Sequence, residues 1–282
     1  MTKRASAAGA PSAPAPLQLP TDPRTLGSRL AGAPLVVLLD VDGTLAPIAP
    51  RPEDAVVPES TRAAVAALAR SRDAHVALVS GRGARDARAM VGVDGVWSIG
   101  NHGLETIDPG GTLTIDERVA PWESALRSVR TAAEAAAASA PGARVEDKGA
   151  TLSIHYRLAE ASAVPELERR IEMASTAAGL RVTRGRKVIE VRPPIAVDKG
   201  TAVLALARRL GATARSASIV FAGDDRTDED AMDALRVWHA DAVTIHVEGE
   251  EPRATRAEFR VGSPEVLAKW LAALAAMREG GG

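Results

Sequence analysis

Short all-apolar runs alternate with amphipathic stretches over residues 33–105. Leu35-Val36-Val37-Leu38-Leu39 stops at Asp40, His75-Val76-Ala77-Leu78-Val79 stops at Ser80, and Val96-Trp97-Ser98-Ile99 stops at Gly100. Short runs of this kind, without polar alternation, read as strands covered on both faces, as in a parallel sheet. Pro58 to Ser71 has helical spacing, and Pro58 suits a first turn. The same texture returns after residue 194. Asp198 can cap a helix through Leu210, and Ser218-Ile219-Val220-Phe221-Ala222 runs into Gly223-Asp224-Asp225. Val243–Val247 is a further strand, and Ser263–Arg278 a closing amphipathic helix. This alternation predicts an α/β fold with a Rossmann-like, doubly wound parallel sheet.

The period changes between Thr106 and Pro193. Asp108-Pro109-Gly110-Gly111 separates two short strand-like runs, Glu105–Ile107 and Thr112–Ile115. An Ala-rich helix is predicted from Pro121 to Ala140 and another from Pro165 to Ala178. Hairpins are predicted around Lys148-Gly149 and between Leu180–Val182 and Lys187–Val191. The whole reads as an inserted α+β module with a small antiparallel sheet. The predicted organisation is a core of residues 33–105 and 194–275, an insertion of residues 106–193, and a Pro/Ala-rich disordered tail of residues 1–32.

Composition narrows the function. The tail lacks the continuous apolar stretch of a signal peptide, and no run approaches the ~20 residues of a membrane span. A cytoplasmic monomer without membrane contact is expected. A net charge of -1 and 2% aromatic residues exclude a basic footprint or stacking platform for nucleic acid. The chain has no cysteine, so any metal must be held by oxygen or imidazole.

Candidate chemistry lies where the apolar runs stop, because ligands of an open parallel sheet bind beyond the carboxyl ends of its strands. Asp40-Val41-Asp42-Gly43-Thr44-Leu45 places two carboxylates two residues apart. Asp40 can attack phosphorus when a metal aligns it, and Asp42 can serve as acid and then base. Read alone, such a pair is usually a solvated turn or a helix cap. Ser80 and the N–H groups at Gly81 and Arg82 can hold a phosphoryl oxygen, or simply start a helix. Lys199, beside Asp198 at a helix start, is misplaced for the helix dipole unless it faces an anion; otherwise it is an ordinary exposed lysine. Asp224 can meet Asp40 at a metal. Asp228, Glu229 and Asp230 read as first-turn acidic residues, with Thr227 as cap and Asp230 closing a capping box.

Taken in order, strand-DxDGT, strand-Ser, helix-start Lys and strand-GDD resemble the four motifs of the haloacid dehalogenase superfamily of phosphatases. Finer wording is similar to its trehalose-phosphate phosphatase family: Asp40-Val41-Asp42-Gly43-Thr44-Leu45-Ala46-Pro47-Ile48, Gly100-Asn101-His102-Gly103-Leu104-Glu105, Lys187–Pro193 and Gly223–Ala231. The resemblance covers Leu35 to Trp270. Ala231-Met232-Asp233 departs from it, where relatives often carry Met-Phe. It implies a magnesium-dependent phosphatase acting on a small-molecule sugar phosphate, trehalose 6-phosphate foremost, through an aspartyl-phosphate at Asp40. Asp42 would be the acid/base. Mg²⁺ would be held by Asp40, the backbone carbonyl of Asp42 and Asp224, with Asp225 supporting them. Ser80, Gly81 and Lys199 would bind the phosphoryl group.

The insertion would close over the core as a cap. Lys187 and Glu190 would reach sugar hydroxyls, joined as substrate contacts by Asn101, His102 and Glu105 at the seam. Strand geometry opposes one of these assignments, since Lys187 and Glu190 in one regular strand point to opposite faces. From residue type alone, His102 is also a turn residue and Lys187 a solvated hairpin residue. Three other functions stay open: the same chemistry on sucrose phosphate or mannosylphosphoglycerate, a phosphorylation-switched receiver, and an inactive sugar-binding relative.

Overall fold

The computed structural model describes residues 15–185, 187–213, 216–249 and 253–280. Its first element corrects the predicted tail. Leu17–Gln18 (β1) pairs with a strand near the other end of the chain, and Ser28–Ala31 (α1) makes one helical turn. The reason is anchoring: Leu30 is fully buried in the main core, and Arg29 pairs with Glu258 at 2.5 Å. Residues 1–14 of that predicted tail lie outside the described residues.

The first long stretch then runs Leu35–Leu39 (β2), Glu59–Arg70 (α2), Ala74–Val79 (β3), Ala84–Val91 (α3) and Trp97–Gly100 (β4). Glu105–Ile107 (β5) and Leu113–Ile115 (β6) follow as a hairpin. Next come Glu123–Ala137 (α4), Arg144–Asp147 (β7), Leu152–His155 (β8), Val164–Ala177 (α5), Arg181–Gly185 (β9) and Val188–Arg192 (β10). The chain returns through Lys199–Arg209 (α6), Ser218–Gly223 (β11), Arg226–Trp238 (α7), Val243–Val247 (β12), Phe259–Val261 (β13) and Pro264–Glu279 (α8).

A nine-stranded sheet has the order β1-β13-β12-β11-β2-β3-β4-β5-β6. Along this order its strands are parallel from β1 to β4; β5 is antiparallel to β4, and β6 to β5. That hairpin, predicted as the start of the insertion, therefore extends the large sheet. The tight reversal at Asn101–Gly103 lays β5 directly against β4, pairing Gly100 with Glu105. Alternation along β2 explains the layers. Leu35, Val37 and Leu39 face Val65, Leu68, Leu267 and Leu271, whereas Val36 and Leu38 face Val203, Leu206, Met232 and Leu235. Helices α2, α3 and α8 thus cover one face and α6 and α7 the other. The central strand is buried on both sides, as its unbroken apolar run requires.

The second sheet, β7-β8-β10-β9, is antiparallel. Leu126, Val129, Leu167 and Ile171 of α4 and α5 pack on its Leu152, Ile154, Ile189 and Val191. This inserted α+β module sits beyond the carboxyl ends of the parallel strands, where its inner residues share a cavity with the core.

Candidate active site

Asp40 directly follows β2, and its N–H bonds the Ala222 carbonyl of the neighbouring strand. The residue is 4% exposed. Its Oδ1 accepts from Lys199 Nζ at 2.6 Å, while Oδ2 is buried without a hydrogen-bond partner among the described residues. Burial, reinforced by Asp224 and Asp225 and opposed by Lys199, pushes Asp40 up to about 7. Lys199 opens α6, where Asp198 forms the expected cap, a capping box with Thr201. Buried at the positive end of a helix, an ammonium is unfavourable by itself. Two carboxylates offset that cost: Nζ donates to Asp40 and, at 2.8 Å, to Asp228 Oδ1. Although burial acts to discharge Lys199, Asp228 and Asp40 hold its pKa well above the usual lysine value.

Asp228 is the main correction to the reading of the acidic cluster. The cap of α7 is Asp225, which accepts from the N–H groups of Thr227 and Asp228; the capping box closes through Asp228. Thr227 and Asp230 do not form it. Asp228 is fully buried, and its Oδ2 accepts from the N–H groups of Asp224 and Asp225 at 3.1 and 3.0 Å. It therefore shapes the GDD turn from beneath. Burial pushes Asp224 up to about 8, with Asp228 and Asp225 adding to the effect.

Carboxylate oxygens of Asp40, Asp224 and Asp228 lie within 4.8 Å of one another. Gly43, at φ +85°, permits this approach: a Cβ there would lie 2.2 Å from Asp224 Oδ2. Three converging carboxylates, one with an unpartnered buried oxygen, and a single ammonium leave an excess of negative charge. Such a donor set fits a hard divalent cation.

Asp42 turns elsewhere. Both its oxygens accept from Arg82, at 2.7 and 2.8 Å. Ser80 is buried, and its Oγ accepts from the Arg82 N–H. At Gly81 a Cβ would come within 2.8 Å of the His102 ring, so this glycine lets His102 approach the loop after β3. A cavity of about 540 Å³ opens above, lined by Asp40, Asp42, Ser80, Gly81, His102, Lys199 and Asp225 of the core. Glu146, Lys148, His155, Lys187 and Glu190 line it from the inserted module.

The structure resolves the conflict between Lys187 and Glu190. Lys187 has φ +63° and lies in the turn before β10, outside strand alternation. Glu190 Oε1 lies 3.2 Å from His102 Nε2. Burial would raise Glu190, but the hydrogen bond from His102 and the charges of His102, Lys148 and Arg192 bring it down to about 2.

Asn101 and Glu105 are not among the residues lining this cavity. Asn101 Nδ2 donates to Glu105 Oε1 at 2.7 Å and to the Lys148 carbonyl, and its Oδ1 accepts from Thr151. Glu105 Oε2 accepts the Ala84 N–H at 2.8 Å. These two side chains tie the insertion to the core.

Sequence reasoning missed the side chain of Arg82, Lys148 and the Glu146–His155 pair, whose atoms lie 2.7 Å apart. Arg82 was signalled only by adjacency to Ser80-Gly81. Lys148 sat in a segment read as a turn, and Glu146 and His155 meet only when β7 and β8 pair.

Residues 38–265 match the model of the family described as Trehalose-phosphatase. The chain belongs to this family. Within the trehalose-phosphatase family it is 38% identical over 242 residues to a trehalose-phosphate phosphatase of Mycobacterium marinum, covering 85% of this chain and 61% of that one. It is also 38% identical over 260 residues to an uncharacterized glycosyl hydrolase of Mycobacterium tuberculosis, covering 87% of this chain and 18% of that protein. The chain thus spans less than two thirds of the length of either relative. The crystal structure of a trehalose-6-phosphate phosphatase related protein superposes with a TM-score of 0.74 at 26% identity, covering 87% of this chain and 99% of that one. The fold is of the haloacid dehalogenase phosphatase type, as the four motifs implied. No helix among the described residues is long and apolar enough to cross a membrane.

Proposed function

We propose that the chain hydrolyses trehalose 6-phosphate to trehalose and phosphate by way of an aspartyl-phosphate at Asp40. The observation that carries this reading is the free, buried Oδ2 of Asp40, beside Lys199 and at the floor of a large polar cavity. In this reading Oδ2 attacks phosphorus while the bond from phosphorus to the sugar oxygen breaks. Asp42 gives its proton to the departing oxygen. It then takes a proton from the water that attacks the aspartyl-phosphate, releasing phosphate and restoring Asp40. Lys199 holds Asp40 by its other oxygen, so the attacking one is fixed. The hydroxyl of Ser80 and the N–H of Gly81 hold phosphoryl oxygens.

Magnesium suits the donor set better than a larger cation, because it accepts few carboxylates and completes its shell with water and phosphate. Asp40, Asp224 and the Asp42 carbonyl would hold it, with Asp228 beneath the cluster and Asp225 fixing the turn. When bound it would neutralise charge on the phosphoryl group. The inserted module acts as the cap. Its Lys148, Lys187, Glu146 and Glu190, with His102 opposite, offer donors and acceptors suited to sugar hydroxyls. The cavity of about 540 Å³ is within the usual range for small-molecule sites.

Phosphate release from a panel of sugar phosphates tests this directly. Trehalose 6-phosphate is expected to be turned over best, with activity lost in excess chelator and restored by Mg²⁺. Asp40→Asn is expected to abolish turnover with an unchanged circular dichroism spectrum. Full activity in chelator, a folded and active Asp40→Asn, or preference for another sugar phosphate would each remove the corresponding part of the proposal.

A further inference from the structure

Arg82 lines the cavity, yet the chemistry above gives it no task. Its side chain is 11% exposed. Nε donates to Asp42 Oδ2 at 2.7 Å, and Nη2 donates to Asp42 Oδ1 at 2.8 Å. Nη2 also donates to the Pro52 carbonyl at 2.6 Å, and Nη1 to Asp86 at 2.9 Å. A planar guanidinium that takes both oxygens of a carboxylate fixes that group's position and rotation, which a lysine cannot do. Asp42 needs such a restraint. It follows Asp40 by two residues and lines the same cavity, and without the fork its carboxylate would be free to rotate there.

The anchors of the fork reach the cap from two directions. Pro52 belongs to the turn Pro52–Asp54, in which Glu53 takes both terminal nitrogens of Arg144 on β7, at 2.9 and 3.0 Å. On the other side, the carbonyl of Gly81, the residue before Arg82, accepts from Lys148 Nζ at 2.9 Å. Cap residues thus touch the segments that anchor Arg82.

We infer that Arg82 is a positioning residue for Asp42: its fork sets where the acid/base carboxylate sits against the phosphoryl site, and the cap contacts at Glu53 and Gly81 hold the fork in place. This inference rests on the phosphatase reading above. It assigns Arg82 no contact with substrate, and that separates it from a phosphate-binding arginine.

The test is a double-mutant cycle on purified full chain with trehalose 6-phosphate and a nitrophenyl phosphate. Arg82→Lys keeps the charge and loses the fork. It should lower kcat about 10- to 100-fold, the cost of an ångström-scale misplacement, and leave KM within about threefold. Combined with Asp42→Asn, the same substitution should change kcat by less than about twofold, because no acid/base remains to be placed. Arg82→Gln, made in both backgrounds, repeats the comparison should the lysine variant fail to melt cooperatively. An unchanged kcat for Arg82→Lys overturns the inference. So does a further loss in the Asp42→Asn background as large as in wild type, which would put Arg82 on the phosphoryl group or in the fold. Failure of the wild-type chain to release phosphate from any ester defeats the phosphatase reading and this inference together; an active wild type with multiplicative losses defeats the inference alone.

Discussion

Asp228 and Lys199 illustrate how single residues set the site. Each is buried, and either one left alone would be an uncompensated charge. Paired at 2.8 Å, they let one helix start beside another at the mouth of the sheet. Glu190 makes a comparable bargain with His102 at the cavity wall. Lys187 and Glu190 are the residues on which the sugar assignment turns. A buried polar group left without its partner costs about 1–3 kcal/mol, so Lys187→Ala or Glu190→Ala should cut kcat/KM for trehalose 6-phosphate roughly 10- to 100-fold. A nitrophenyl phosphate, which has no sugar to contact them, should be hydrolysed at nearly the wild-type rate. A matching fall for both substrates would show that these residues serve closure or folding. At this scale Asp40, Ser80 and Asp224 were legible because each follows an apolar run, and Lys199 because it opens a helix. Arg82 and Asp228 were not, since a residue's neighbours across the sheet leave no local trace.

Among the elements, the turn Pro52–Asp54 and strand β7 form the bridge between core and cap. Glu53 and Arg144 meet there at the rim of the cavity, with side chains 44% and 52% exposed. Exposed pairs contribute little, so reversing either charge should raise KM for the sugar phosphate by no more than about fivefold. Glu53→Arg combined with Arg144→Glu should bring KM back, and added salt should shrink the whole effect. Equal KM values for both single reversals and wild type at low salt would mean that this pair does not hold the cap. The long buried strands β2, β3 and β11 were legible from composition. Helix α3 and strand β13 were not anticipated; β13 has only three residues and exists because β12 and β1 flank it. The β5–β6 hairpin was legible as a hairpin, but its membership of the large sheet depends on the left-handed backbone at Asn101 and His102.

For the whole molecule, the contact between Glu190 and His102 joins the two sheets across the cavity. Glu190 is lowered from 4.5 to about 2 in the folded chain, the pull of His102, Lys148 and Arg192 outweighing burial. Its ionised form is therefore favoured by folding. The resulting stability is complete above about 4.5, and it is lost as pH falls towards about 2. Wild type should exceed Glu190→Gln in urea stability near neutral pH, and the gap should close on acidification through that window. A gap that stays constant from about pH 6 to about pH 3 would show that the shift is not felt by the fold.

By itself the sequence determined the parallel core, the polar ends of its strands and the family to which they belong, because hydrophobic period and residue adjacency are local properties. The tertiary structure decided which carboxylates share a cluster, which arginine holds Asp42 and which residues of the inserted module line the cavity. Arg82 and Asp42 are 40 residues apart, and Glu190 and His102 are 88 apart. Such pairs are set by strand order and by turns of positive φ, such as the one that swings Lys187 out of strand register, and neither leaves a period in the chain.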